Sequence, residues 1–213
     1  MTYPADTQAV VLRADGLRFG YPQHELFTDW SAAVTPGVTL VRGGDGVGKT
    51  TLLRLLAGVL PADAGQLQVN GIRLAEQPAA YRQQVFWADP RSDALDQVTA
   101  TDYFKSLPPL YPRFEGRALA ELVAGFALAP HLDKPLYMLS TGSKRKVWLA
   151  AAFASGAAVT LLDEPFAALD KASIGFVLEL LEEAADHPSR AWVVAHYEPP
   201  GKIPLAGIIE LGD

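Results

Sequence analysis

The chain has 213 residues and a formal net charge of −6, which argues against a nucleic-acid partner bound through a broad basic face. Hydrophobic residues make up 49% and charged residues 20%, the balance of a globular chain with a sizeable core. Cysteine is absent, which excludes disulfides, thiolate metal sites and cysteine nucleophiles and is compatible with a reducing compartment.

The first sixteen residues, MTYPADTQAVVLRADG, carry acidic residues and no basic region ahead of a long apolar stretch, so they do not read as a secretory signal. Up to about residue 75 the pattern is strands and turns. Residues 10–12 and 38–41 are strand candidates, the second punctuated by Pro36-Gly37. Residues 49–59 read as a helix whose Leu52, Leu53, Leu55 and Leu56 give a broad apolar face. Asn70-Gly71 between residues 66–69 and 72–74 signals a hairpin.

The middle of the chain, about 90–155, changes character. Helical stretches at 118–126 and 144–154 accompany a proline-rich connector at 107–112. A strand at 158–162, a helix near 174–185 and strands at 191–195 and 207–211 complete the order. Strands alternating with helices predict an α/β fold with a mostly parallel sheet. The expected organisation is one domain over residues 1–213, with an N-terminal antiparallel β subdomain and a helical subdomain inserted at about 90–155. The longest nearly uncharged run, 147–162, is shorter than the ~20 residues a membrane span needs. Gly156 interrupts it and Asp163-Glu164 ends it, as a buried helix followed by a buried strand would. These features predict a soluble chain that would need a partner for any role at a membrane.

Residues 43–50 read Gly43-Gly44-Asp45-Gly46-Val47-Gly48-Lys49-Thr50, which matches G-x-x-x-x-G-K-[ST]. Glycines let backbone N–H groups turn inward around a phosphate without Cβ clashes, and the following helix adds its positive end. Lys49 then reaches the β- and γ-phosphates and the Thr50 hydroxyl ligates Mg²⁺. A chance match in a glycine-containing turn is disfavoured by the strand before it and the leucine-rich helix after it.

Asp163-Glu164 follows the apolar strand at 158–162 directly. That places both carboxylates at the carboxyl edge of the sheet, where open α/β folds bind ligands. Asp163 is expected in the Mg²⁺ shell and Glu164 beside the water in line with the γ-phosphate. A solvated acidic turn is the alternative; the phosphate loop makes it the weaker reading.

Further motifs in order carry a family resemblance. Leu139-Ser140-Thr141-Gly142-Ser143 resembles the LSGGQ signature of ABC ATPases, with Thr141 and Ser143 departing from it. Ala168-Leu169-Asp170 resembles the D-loop, His196 the switch histidine, and Tyr21 the aromatic residue that stacks on adenine, with Phe19 its rival. Asp89 occupies the best position for the Q-loop glutamine, and as a carboxylate it could reach Mg²⁺. The resemblance covers about residues 10–211. It implies a homodimer, or a heterodimer with a related ATPase, that sandwiches two ATP molecules. Residues 43–50 and Thr51 of one subunit would face Ser140 and Gly142 of the other. It further implies a separate transmembrane permease subunit and a cytoplasmic location, peripheral on the inner face of the membrane. Glu164 and His196 become the catalytic pair, ATP and Mg²⁺ the ligands.

Non-transport ABC ATPases are rivals, but the stretch between Lys49 and Asp163 lacks the sustained heptads of repair types. A P-loop GTPase needs an N-K-x-D motif, and the only asparagine, Asn70, precedes Gly71. A regulatory subunit with weak hydrolysis is disfavoured by Glu164 and His196. Among transporters, the segments 52–58 and 166–170 are similar to small haem-exporter ATPases, and 111–114 and 139–147 to ABC-2-type export ATPases. Lys144-Arg145-Lys146 reads as a solvated helix face, the four tryptophans as packing residues, and His24, His131 and His187 as surface residues without metal spacing.

Overall fold

The computed structural model describes residues 10–89 and 92–212. Pro90 and most of the N-terminal stretch read above for a signal lie outside the described residues.

Two sheets organise the chain. The first is antiparallel, in the order β2-β1-β4-β5, from β1 (Leu12–Tyr21), β2 (His24–Val34), β4 (Ala64–Val69) and β5 (Ile72–Arg73). Its inner face follows the period-two rule: Leu12, Ala14, Leu17 and Phe19 of β1 are buried while Arg13, Asp15 and Arg18 are not. Asn70 (φ 48°) and Gly71 (φ 82°) both adopt left-handed backbone at the β4–β5 turn, which an Asn-Gly pair allows at low cost.

The second sheet is parallel, in the order β6-β7-β8-β3-β9, from β3 (Gly37–Arg42), β6 (Val85–Trp87), β7 (Val159–Asp163), β8 (Ala191–Ala195) and β9 (Leu205–Glu210). Its central strands read as continuous apolar runs because both faces are covered. On one face, Val41, Val159, Leu161 and Val193 join α1 (Lys49–Leu56) and the inner face of the antiparallel sheet in one core. On the other, Val38, Leu162, Trp192 and Val194 pack with α5 (Thr141–Ala154) and α6 (Lys171–Ala185) in a second core. The helices α2 (Pro78–Gln84), α3 (Ala100–Ser106) and α4 (Gly116–Gly125) complete the set, α3 and α4 lying with α5 between β6 and β7. Among the described residues, no helix is long and apolar enough to cross a membrane.

Several elements differ from the sequence expectations. The helix expected to reach residue 59 ends at Leu56, because Gly58 turns left-handed (φ 66°) and its N–H bonds to the Leu55 carbonyl. β2 was not separable from sequence, since only Phe27 and Val34 of its eleven residues are fully buried. The short α2 and α3 bury one and three side chains and present no extended apolar period.

Candidate functional site

The carboxyl ends of β3, β7 and β8 meet at one edge of the parallel sheet, and each delivers part of one cleft. From β3 the chain enters the 43–48 loop, where Gly46 (φ 81°) and Gly48 (φ 101°) take left-handed backbone that L side chains rarely adopt. A Cβ at Gly46 would meet nothing within 4 Å, so conformation rather than space calls for glycine there. Gly48 caps α1 without any side-chain bond to the first-turn amides, and this helix end faces the cleft unblocked.

Lys49 is only 7% exposed, and its Nζ donates to the carbonyls of Gly43 and Gly44, each at 2.8 Å. The same Nζ lies 3.8 Å from Glu164 Oε1. The lysine therefore closes the loop on itself and keeps its charge at the cleft floor. Next along the helix, Thr50 Oγ1 donates to Asp163 Oδ2 at 2.7 Å. Two hard oxygens so placed suit Mg²⁺ shared with substrate phosphates, a mode in which the protein supplies few ligands.

β7 ends at Asp163, and the chain turns sharply at Glu164, whose φ of 45° is left-handed and uncommon for a residue with a side chain. That turn is stabilised by the Glu164 N–H donating to the Ala195 carbonyl at 3.0 Å. The Glu164 carboxylate Oε2 lies 2.8 Å from His196 Nδ1. His196 follows β8, and its own N–H donates to the Val41 carbonyl of β3 at 3.1 Å. Its ring lies between Phe166, which meets it edge-on with centroids 5.3 Å apart, and Tyr197, tilted at 57° with centroids 4.4 Å apart.

The resulting cleft, of about 340 Å³, is lined by Asp45, Gly46, Gly48, Lys49, Thr50, Thr51, Asp163, Glu164 and Tyr197. Val47 instead packs against the core, and Gly43 and Gly44 contribute the carbonyls that hold Lys49. Tyr21 and Phe19 separate cleanly. Phe19 is 7% exposed in the core, whereas Tyr21 is 46% exposed with its hydroxyl 3.3 Å from Thr51 Oγ1. The two rings meet edge to face at 5.1 Å, so the buried one braces the exposed one.

Three sequence candidates stand apart from the cleft lining. Asp89 lies two residues beyond Trp87, the last residue of β6 and the partner of Leu161 in β7. Its side chain borders a separate groove with Arg54, Tyr103 and Trp148. Ser140 caps α5, its Oγ accepting from the Ser143 N–H at 3.1 Å. Gly142 lies against the D-loop: a Cβ there would come within 2.4 Å of the Ala168 carbonyl oxygen.

The basic run 144–146 does not form the solvated face expected from sequence. Lys144 pairs with Asp96, and Lys146 Nζ lies 2.6 Å from Asp170 Oδ2. Arg145 donates to the backbone carbonyls of Asp163, at 3.2 Å, and Glu164. The sequence did carry a signal: three cations in the first turns of a helix oppose the helix dipole and need compensating partners. Tyr197 was also missed. It is 60% exposed at the cleft mouth, and a hydrogen bond with Glu198 pushes its phenol pKa up. Its adjacency to His196 was the available clue. The tryptophans do pack as expected, with Trp148 and Trp192 buried and Trp30 and Trp87 against the core. His187 is not an idle surface residue: its Nδ1 accepts from the N–H groups of Ser189 and Arg190 and orders that turn.

The ABC transporter family model matches residues 28–167. Over 154 residues the chain is 34% identical to the cytochrome c biogenesis ATP-binding export protein CcmA of Pseudomonas fluorescens, covering 72% of each chain. Over 185 residues it is 32% identical to CcmA 2 of Salmonella paratyphi A, covering 86% of this chain and 87% of that one. Among solved structures, an ATP binding subunit of an ABC transporter aligns with a TM-score of 0.78 at 25% identity, over 87% of this chain and 79% of that one. An ABC transporter ATP-binding protein from Pyrococcus furiosus aligns with a TM-score of 0.74 at 22% identity, over 94% and 96%. The chain belongs to the ABC transporter family.

Proposed function

We propose that this chain binds ATP with Mg²⁺, hydrolyses it, and so powers export through a separate transmembrane permease. The observation that carries the hydrolytic part is the Glu164 carboxylate, set 2.8 Å from His196 Nδ1 and 3.8 Å from Lys49 Nζ at the cleft. The export part rests on the similarity to proteins named as CcmA export ATPases.

In this reading the loop amides and Lys49 bind the phosphates, and Thr50 and Asp163 hold Mg²⁺, with Asp89 as a further candidate ligand. Mg²⁺, when bound, supplies charge neutralisation on the transferring phosphoryl group. Tyr21 stacks on the adenine from its exposed position beside Thr51. Glu164 orients a water and takes its proton as that water attacks the γ-phosphorus; the bond to the β–γ bridging oxygen breaks and ADP leaves with its electron pair, while His196 holds the carboxylate in place. Ser140 and Gly142 complete the site from a second subunit, identical or related, which explains why their own cleft does not contain them. The helical part of the single domain, at about 90–155, carries α3, α4 and α5 in its described residues. The assembly sits at the cytoplasmic face of the membrane, held there by the permease.

The test compares ATP turnover and nucleotide affinity in Glu164→Gln and Lys49→Ala chains. Lost turnover with retained affinity in the first, and lost affinity in the second, is expected. Full turnover in both sinks the reading.

A further inference from the structure

Arg145, the middle cation of the basic run, donates to two backbone carbonyls at the end of β7. α5 is capped by Ser140 and has no acidic residue in its first turn, so the helix end offers nothing to offset three consecutive cations. Lys144 and Lys146 are matched by Asp96 and Asp170. The Arg145 guanidinium instead reaches across to the end of β7, where Nη1 donates to the carbonyls of both Asp163 and Glu164.

Those carbonyls flank the strained step in the chain. The Glu164 φ of 45° is sparsely populated for a residue with a Cβ, and such a conformation persists only where its surroundings hold it. On one side the holding contact is the Glu164 N–H to the Ala195 carbonyl at 3.0 Å. On the other, the Glu164 carbonyl accepts from the Ala167 N–H at 3.1 Å and from Arg145 Nη1, which also reaches the Asp163 carbonyl and whose charge strengthens each bond it donates. Rotating the 163–164 peptide back towards an extended conformation would swing the Glu164 side chain away from His196 and Lys49.

We propose that Arg145 is a positioning residue for hydrolysis: by clamping the carbonyls of Asp163 and Glu164 it fixes the left-handed backbone that aims the Glu164 carboxylate into the cleft. Arg145 is not among the residues that line the cleft. This inference rests on Glu164 acting on the attacking water. A consequence of the geometry is that the helix capped by Ser140 is tied directly to the backbone that carries the Glu164 carboxylate of its own chain.

The experiment uses the full chain, isolated with whichever subunits accompany it, and measures kcat and KM for MgATP in Arg145→Met, Arg145→Lys and Glu164→Gln. Two charge-assisted bonds are lost in Arg145→Met, so kcat is expected to fall about 10- to 100-fold. KM and the affinity for a non-hydrolysable ATP analogue should stay within about twofold, since Lys49, Thr50 and the loop amides are untouched. Arg145→Lys should recover part of kcat, because an ammonium restores the charge but not the planar fork. If Arg145→Met loses ATP affinity in step with turnover, or keeps full turnover, the positioning role is overturned. Should Arg145→Met fail to fold, Arg145→Lys decides: partial kcat at unchanged KM supports the role, and native kcat overturns it. Near-native turnover in Glu164→Gln would instead overturn the hydrolytic reading itself, whatever the Arg145 variants do.

Discussion

Glu164 Oε2 and His196 Nδ1 stand 2.8 Å apart although 32 positions separate them in the chain. The contact exists because β7 and β8 are parallel neighbours in register, Asp163 opposite Ala195, so the next residue of each strand emerges at the same height. A carboxylate held between an imidazole and the Lys49 ammonium is fixed in direction before any substrate arrives, which is the preorganisation a general base needs.

Glu164→Gln keeps size and packing and removes basicity. ATP turnover should fall by about 10²–10⁴-fold while ATP binding persists. If ATP glues two subunits, the variant should also accumulate as a dimer with ATP and Mg²⁺, measured by light scattering. Turnover near that of the native chain would remove Glu164 from catalysis; lost turnover without added mass would count against the glued dimer.

The absence of native cysteine makes the sandwich directly testable. Ser140→Cys and Gly46→Cys in one chain should form a disulfide between subunits under mild oxidation with ATP and Mg²⁺, seen as a doubled mass on non-reducing gels. A bond formed only within one chain would defeat the proposed arrangement of Ser140 over a neighbour's phosphate loop.

Gly142→Ala brings a methyl group within 2.4 Å of the Ala168 carbonyl, a backbone atom that cannot swing aside. Either α5 or the 168–170 turn must move. A loss of about 1–3 kcal/mol in unfolding free energy is expected, from the usual cost of overpacking, with a fall in turnover. Native stability by denaturant titration would show that the two segments are not in firm contact.

Asp170 caps α6, accepting from the Ser173 N–H at 2.8 Å, and pairs with Lys146. The Lys146 hydrogen bond, followed by that of Ser173, holds its carboxyl well below the usual carboxylate range. A depressed folded-state pKa contributes stability above the unfolded value of about 3.9 and loses it as pH falls through and below that value. Asp170→Ala should therefore melt at a lower temperature than the native chain at pH 7, with the difference narrowing towards pH 3. A gap that stays constant across this range would show that the ionised carboxylate adds nothing.

The sequence determined the parts of this protein whose chemistry is local. The 43–50 loop was legible because its glycines, Lys49 and Thr50 act within one turn between a strand and a helix. β8 was legible to its ends, residues 191–195, because a strand buried on both faces must be apolar throughout. The acidic pair was legible because it sits at the abrupt end of an apolar run, and Asn70-Gly71 because that pair suits a two-residue turn between strands.

Tertiary structure alone decided what depends on neighbours distant in the chain. Phe19 and Tyr21 are equivalent in sequence, and only the packing of β1 buries one and exposes the other. Lys144, Arg145 and Lys146 look like a solvated face until Asp96, Asp170 and the end of β7 are brought against α5. The left-handed turn at Glu164 leaves no mark in residue type, since nothing about glutamate favours φ of 45°; its N–H bonds the Ala195 carbonyl, and its carbonyl accepts from the Ala167 N–H and the Arg145 guanidinium. A sequence records which groups are available, whereas strain and charge pairing depend on which groups the fold brings within about 3 Å of one another.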